Sequence, residues 1–593
     1  MTIGRNTNYD EKRRPGKYQF LVLLPFAFCY AFFIVLGDWQ KSAPYSNAQN
    51  MARLALWMAV SYGVLLLLGF FSENGGALLA AWLPAGMRRA LSGFASLKCL
   101  FRGRKREGRL WVWLLFSLLC LLCYLPYYLI YYPTWFNNDA VWQMEQALGL
   151  ASRSNHHPYF HTLIIKVFLT AGYGIFGSYT AAVALYTFFQ MALTAAVFGF
   201  FLYLLYCRGT GILWLVLAAF FYAVLPVNGM FSICMGKDAW FTAAFLLFMW
   251  SVWVCAREGE KRRQWAAFLA TGLLVCLLRS NGIFIFLGTT LVLILSQIFA
   301  DVRTGLAEGG CGRDKGRARE RQKSGSRKRQ YMYLSAASAI LCYLLWQGPI
   351  LKALQVEPPD TIESLTMPTQ HLLCAYVRGG ELTPEEVEML EAVAPLAQID
   401  DYYNPYLFDV TKNYIREHGN QQVIADYRGE YAKLWFKVGL RNPMLYLEAQ
   451  IRQTAGYYAL HIPHDQILYS EYFMVDNPFG IENERKVFSY DAGLAMGDFL
   501  QGFQAFYNRV WSLGMNTWLL LAAFACALYR RRDGIAFVPC VMLLGSLFLA
   551  APVYNEFRYA YGVFVALPFL FAVGFGKEAE ADEQAGAAGR DRG

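Results

Sequence analysis

Apolar runs of about 18–25 positions recur along the 593-residue chain, separated by short polar stretches. As a helix, a run of that length crosses a hydrocarbon core about 30 Å thick. The pattern therefore predicts an all-α polytopic membrane protein. The length rule gives about twelve spans, near 18–37, 54–72, 110–132, 179–206, 212–228, 238–256, 265–279, 283–300, 331–350, 511–530, 534–551 and 559–575. The stretch 158–178 is apolar too, but His161, Lys166 and several glycines interrupt it. It is expected to be an interfacial or re-entrant helix. The first run is long for a signal core, and Gly37-Asp38-Trp39-Gln40 after it is not a small-residue cleavage site, so it reads as a membrane anchor.

Composition agrees: 56% of residues are hydrophobic and 16% charged, against roughly 25% charged in an average soluble protein. Most of the thirteen cysteines, such as Cys120, Cys123, Cys276 and Cys540, sit inside apolar runs and behave as small hydrophobes rather than a disulfide framework. Lysine and arginine cluster at 12–17, 88–109, 257–263, 303–329 and 530–532. The positive-inside rule puts these clusters in the cytoplasm. The spans then alternate without conflict, with both termini on the cytoplasmic side. The net charge of +10 comes mostly from these loops. The basic run 312–329 is read as an anchor between two spans, not as a nucleic-acid arm, and the charged, Ala/Gly-rich tail 577–593 as disordered.

This topology divides the chain into an N-terminal region 1–109 with two spans and a basic loop, and a transmembrane core 110–350 whose first outer loop is 133–178. After these come a mainly α outer domain 351–510, C-terminal spans 511–576 and the tail. It also gathers the conspicuous polar groups on the outer side. Asp139, Glu145, His156, His157 and His161 lie in the first loop, and Lys237-Asp238 begins a span. Arg279-Ser280-Asn281-Gly282 and Glu556-Phe557-Arg558-Tyr559 lie between spans. Charges at span edges are a functional hypothesis by default. Lys237, Arg279 and Arg558 suit a phosphate or pyrophosphate, because ammonium and forked guanidinium donors match its oxygens. The local alternative pairs Lys237 with Asp238, Arg558 with Glu556, and Arg279 with lipid headgroups.

Within the first loop, Asn137-Asn138-Asp139 reads as a helix start with Asn138 as N-cap and Asp139 in the first turn. Asp139, Gln143 and Gln146 share one helical face. Glu145, six positions on, lies about a third of a turn away and does not pair with Asp139. Asp139 is then either a capping carboxylate or a general base that orients an acceptor. His157-Pro158 opens a second helix. His157 and His161, four apart, form a weak two-ligand metal pattern; hydrogen bonding to headgroups or to a substrate phosphate is the preferred reading.

Several local features together resemble the GT-C superfamily of integral-membrane glycosyltransferases, and more narrowly a group of bacterial multi-pass proteins of unknown function. They are Tyr132-Pro133 with Asn138-Asp139 and Gln143; Asn155-His156-His157-Pro158 and His161; Lys237-Asp238; Arg279-Ser280-Asn281-Gly282; Glu363 to Gln370; and Glu556-Phe557-Arg558-Tyr559. The resemblance covers roughly 110–575 and implies a GT-C-like core. It implies transfer of a sugar, with inversion, from a polyprenyl-phosphate-linked donor to a glycan, lipid or protein acceptor. Asp139 would be the base. His157, His161, Lys237, Asp238, Arg279, Asn281, Glu556 and Arg558 would bind substrate or phosphate. Many families of this fold carry paired acids in the first loop, whereas here Asp139 stands alone. No cofactor is indicated, and a divalent metal is left open. The alternatives are a transporter or flippase of lipid-linked precursors and a non-catalytic envelope protein. No P-loop or dinucleotide fingerprint is present.

Overall fold

The structure, a computed structural model, describes residues 17–38, 47–82, 107–308, 315–463, 477–481, 488–532, 534–549 and 553–576. The tail 577–593 and the basic stretches 12–16 and 88–106 lie outside the described residues. The regular structure of those described is all helical, with no strand and three isolated β-bridges.

Among the described residues, nine helices are long and apolar enough to cross a membrane, or up to eleven if each of two bent pairs is one span, against the twelve expected. The differences have local causes. The expected spans at 265–279 and 534–551 are the 17-residue helix Arg262–Leu278 and the shorter apolar stretch Gly534–Leu549. The run at 212–228 bends by 42° between Ile212–Val224 and Pro226–Ile233. Pro226 has no N–H to donate, and the backbone loosens into a π-turn at Phe220–Val224 just before it. Asn228 Nδ2 donates to the carbonyls of Phe221 and Tyr222 at 2.6 and 3.3 Å, so the break leaves them satisfied. Tyr159–Phe176, expected to be interfacial or re-entrant, is itself long and apolar enough to count among the nine.

Helix direction defines two ends. Lys237–Arg257 and Phe557–Phe575 run parallel, since Gly562 abuts Phe245 and Phe569 meets Trp253. Both start at one end, here the site end. At 21 residues, the first is about 30 Å long. Basic residues collect at its far end. Lys328 Nζ donates to the Ala256 carbonyl at 2.6 Å, and Arg530 and Arg532 donate to the last carbonyls of Phe557–Phe575. These cations satisfy orphan carbonyls and oppose the negative ends of the helix dipoles. The basic run from 315 onward is not a loop: it forms the first half of the continuous helix Lys315–Leu345.

Tyr179–Cys207 lies antiparallel to Glu107–Ile130, as Trp113 bonds to Ala196 and Tyr128 to Ala184. Gln190 donates to the carbonyls of Ser232 and Cys234, which fixes its level beside the start of the Lys237 helix. The first turns of Tyr179–Cys207 also pack on Tyr159–Phe176, where Gly172 meets Ala182 so closely that a Cβ would stand 2.6 Å from the Ala182 Cα.

The expected outer unit 351–510 divides. A small helical core of its own is built from Ile362, Leu372, Phe408, Ile415, Leu434 and Val438. Ile451, Ala455 and Tyr458 pack instead on Leu36 and Phe548. Tyr490–Val510 buries Leu500 and Tyr507 in the main bundle and meets Leu513–Tyr529 at a 52° bend.

Candidate functional site

The three β-bridges all stitch loops together near the site end. Trp135 pairs with Cys234, Ser154 with Glu357, and Leu407 with Val553. In the first, Trp135 N–H donates to Ile233 and Met235 N–H donates back to Trp135, at 3.3 and 3.0 Å. Four residues after Trp135 comes Asp139, and three after Cys234 comes Lys237. The bridge thus brings an acid and a base together across 98 positions. The third bridge precedes Glu556 and Arg558 and fastens them to the segment before Phe408–His418 through Tyr554 N–H and the Tyr406 carbonyl.

Asn137, rather than the expected Asn138, caps the loop helix Asn138–Leu148: its Oδ1 accepts from Ala140 N–H at 2.8 Å. Asp139 lies in the first turn, as anticipated. Its own carboxylate does not cap. Oδ2 accepts from Lys237 Nζ at 2.6 Å and from Arg558 at 3.0 Å. His157 Nε2 stands 3.7 Å from Oδ1, and its Nδ1 is 3.3 Å from Lys237 Nζ. An ammonium only donates, so this network assigns the His157 proton to Nε2, facing Asp139.

Behind this group lies a second layer. Glu556 meets Arg558 Nε at 3.2 Å. Arg279 pairs with Asp238 at 3.4 Å and donates to the Tyr559 carbonyl at 3.2 Å. The guanidinium groups of Arg279 and Arg558 lie 4.7 and 5.3 Å from the Tyr559 ring. Exposure falls from the first layer to the second. Asp139, Arg558, His157 and Lys237 keep 20%, 18%, 16% and 12% of their side chains accessible, while Asp238 keeps 11% and Arg279 and Glu556 keep 7% each. The first group is the more open to an incoming ligand.

The local pairs considered from sequence are thus partly replaced. Lys237 reaches Asp139 instead of Asp238, Arg279 is buried on Asp238 and Tyr559 instead of meeting headgroups, and Arg558 bridges Glu556 to Asp139. Burial pushes the Asp139 carboxyl up, but Lys237, Arg558 and His157 outweigh it and hold it well below the usual carboxylate range. Burial and the adjacent Lys237 ammonium lower His157 to about 2, so it is neutral. The helices Lys237–Arg257, Phe557–Phe575 and Asn138–Leu148 all begin here and add the positive ends of their dipoles. The arrangement is suited to an anion that carries several oxygens.

Two anticipated residues lie apart. His161 is fully buried. Its ring nitrogens contact Gln143 Oε1 at 2.8 Å and the Tyr186 hydroxyl at 2.7 Å, which leaves neither for a metal, a headgroup or a substrate. Tyr186 continues to Gln190 and receives Trp240 Nε1–H, and Gln190 holds the carbonyls just before Lys237. His161 is therefore a strut that ties both loop helices to the Lys237 segment. Asn281 donates to Ser546 Oγ at 2.8 Å and joins two helices. Sequence reasoning missed Tyr186, Gln190 and Trp240, since polar groups within apolar helices carry no spacing signal.

Among the described residues, one trio has ligand atoms close enough to hold an ion. It comprises His156, Asp360 and Glu363, all within 4.8 Å of one another. Arg416 already binds both carboxylates at 2.6 and 2.9 Å, and Lys412 binds Glu363 at 2.8 Å. That neutralisation disfavours a cation.

No curated protein and no solved structure matches the chain. A family model described as a family of unknown function, DUF6020, matches residues 149–303 and 327–588. The match takes in His157, Lys237, Asp238, Arg279, Glu556 and Arg558 and begins after Asp139. With well over half its length matched, the chain belongs to the DUF6020 family.

Proposed function

We propose that this protein transfers a sugar from a polyprenyl-phosphate-linked donor to an acceptor hydroxyl at the outer face of a bacterial cytoplasmic membrane, on a GT-C-like core. One observation carries the reading: Lys237 and Arg558, 98 and 419 positions from Asp139, meet on one oxygen of its partly exposed carboxylate. Acid and cations thus share one accessible place at an end of a membrane bundle. The basic residues at the opposite end support its assignment to the outer face.

The reaction needs little more than these groups. The acceptor oxygen attacks the anomeric carbon from the side opposite the phosphate, the C–O bond to phosphate breaks, and its electrons go to the departing phosphate oxygen. The hydroxyl proton passes to the Asp139 carboxylate and then to water. The products are an inverted glycoside and polyprenyl phosphate. Lys237 and Arg558 stabilise the charge that develops on the leaving group, where fixed cations act most strongly. Arg279, Glu556 and Asp238 hold Arg558 and the Tyr559 ring in place from behind.

The test compares membranes carrying the full chain with membranes lacking it, for incorporation of labelled sugar from lipid donors. Donor consumption and product should depend on the chain and disappear in Asp139→Asn. Equal incorporation in that variant removes Asp139 as the base.

The broken helix at Leu225, a few turns before Lys237, favours a second reading, a flippase of lipid-linked precursors, because discontinuous helices line many transport sites. That reading gains if donor lipid crosses vesicles containing the purified protein while no sugar is transferred.

A further inference from the structure

Among the described residues, the six charged groups of the site balance. Asp139, Asp238 and Glu556 face Lys237, Arg279 and Arg558, and His157 is neutral among them. A phosphate entering such a set finds no spare cation among the described residues. Arg279 is buried on Asp238 and Tyr559, so the cations within reach are Lys237 and Arg558, and both are held by Asp139 Oδ2. Geometry adds a second constraint. In an inverting transfer the sugar ring stands between base and leaving group, so cations in contact with the phosphate cannot stay in contact with the base.

We infer that the Asp139 carboxylate occupies the phosphate position in the resting protein and that an incoming phosphomonoester or phosphodiester displaces it from Lys237 and Arg558. The inference deepens the transferase reading and rests on it for the role of Asp139 as base. Displacement has a chemical consequence. While clamped, Asp139 is a poor proton acceptor, because two cations satisfy its charge. Once they turn to phosphate, it stands uncompensated beside new negative charge, and its proton affinity rises. The base is thus released only when a donor is bound, which suppresses idle proton transfer and hydrolysis. The two acids have unequal roles. Glu556 is buried and meets Arg558 at Nε, whereas Asp139 is accessible and holds both mobile cations.

The experiment measures binding, not turnover. Purified full-length protein in detergent is titrated with farnesyl phosphate, with inorganic phosphate and with farnesol. The inference expects Asp139→Asn to bind farnesyl phosphate at least about fivefold more tightly than wild type, the lower range of intramolecular coupling between sites. It expects Lys237→Met to bind it more weakly. A gain confined to farnesyl phosphate assigns the site to a lipid-borne phosphate, and an equal gain with inorganic phosphate assigns it to the free ion; both support displacement. Unchanged or weaker phosphate binding by folded Asp139→Asn overturns it, as does an equal gain with farnesol. Should that variant not be recovered folded, Glu556→Gln serves. Relieving the other carboxylate on Arg558 should also tighten phosphate binding, and no gain there counts against displacement. The two proposals fail separately. Absent sugar transfer with tighter phosphate binding in Asp139→Asn rejects the transferase and keeps the displacement, while transfer with unchanged binding does the reverse.

Discussion

Lys237 Nζ lies 2.6 Å from Asp139 Oδ2, the shortest contact in a site otherwise held by longer ones. The ammonium comes from the first residue of a membrane-long helix, and the carboxylate from the first turn of a loop helix. Lys237→Met keeps the length of the stem and removes the charge. It should lower labelled-sugar transfer by about 100-fold, the usual effect of deleting one donor to a developing oxyanion. Transfer measured in membranes at matched protein level checks this. A loss under about threefold would make Lys237 a structural partner of Asp139 only.

The pH dependence of stability follows from the same cluster. His157 is lowered to about 2 in the folded protein, from an ordinary 6.5. The folded state therefore favours the neutral ring. The corresponding stability is complete above 6.5 and declines as pH falls from 6.5 toward 2. Asp139, also lowered, contributes fully above its ordinary value of 3.8 and is lost only in stronger acid. Between pH 6.5 and 5 the cluster's share comes from His157 and not from Asp139, at about 1–2 kcal/mol. Thermal unfolding in detergent should show wild type losing stability over that interval and His157→Gln losing measurably less. Parallel curves for the two proteins would remove His157 as the source. His156, lowered chiefly by burial, and His371, lowered by burial to about 4, add to the slope that remains.

Much of this site is legible in the sequence because charge at the edge of an apolar run is conspicuous. Asp139, Lys237 and Arg558 stand out on that ground alone. Their meeting point is less legible. It depends on backbone bridges such as Trp135 with Cys234, which have no periodicity and join segments distant in sequence. The second acid of the site is more legible. Glu145 is set off Asp139's face by helical spacing, and Glu556, two positions from Arg558, is the carboxylate that shares it, as the local pairing expected. Counting spans by length also misleads where a helix breaks, as at Pro226, or stops at 17 residues, as at Leu278.

His161 and His157 are four positions apart and should respond oppositely to mutation. His161 is buried between Gln143 and Tyr186. His161→Ala opens a cavity and strands two polar partners, which should cost about 2–4 kcal/mol. Tyr186→Phe removes a hydroxyl shared by His161, Gln190 and Trp240 and should cost about 2 kcal/mol. Transfer per folded molecule should change less than threefold in each. Melting temperature read beside specific activity checks this, and a stable but inactive His161 variant would return that residue to the chemistry.

The trio His156, Asp360 and Glu363 offers a test of metal dependence that does not rely on turnover. Arg416 and Lys412 occupy its carboxylates, so a divalent ion would have to displace two cations to enter. Millimolar Mn²⁺ should therefore leave the wild-type melting temperature unchanged, and a chelator should have no effect on it. Arg416→Gln removes the bidentate partner of Asp360 and one partner of Glu363. The freed carboxylates with His156 then resemble an open oxygen and imidazole set. In that variant about 1 mM Mn²⁺ should stabilise by about 1 kcal/mol, the mass-action value for a dissociation constant near roughly 0.2 mM, and the chelator should reverse it. Stabilisation of the wild type by Mn²⁺ would show instead that the arginine yields to the ion, and the trio would become a metal site beside His157 in the native protein.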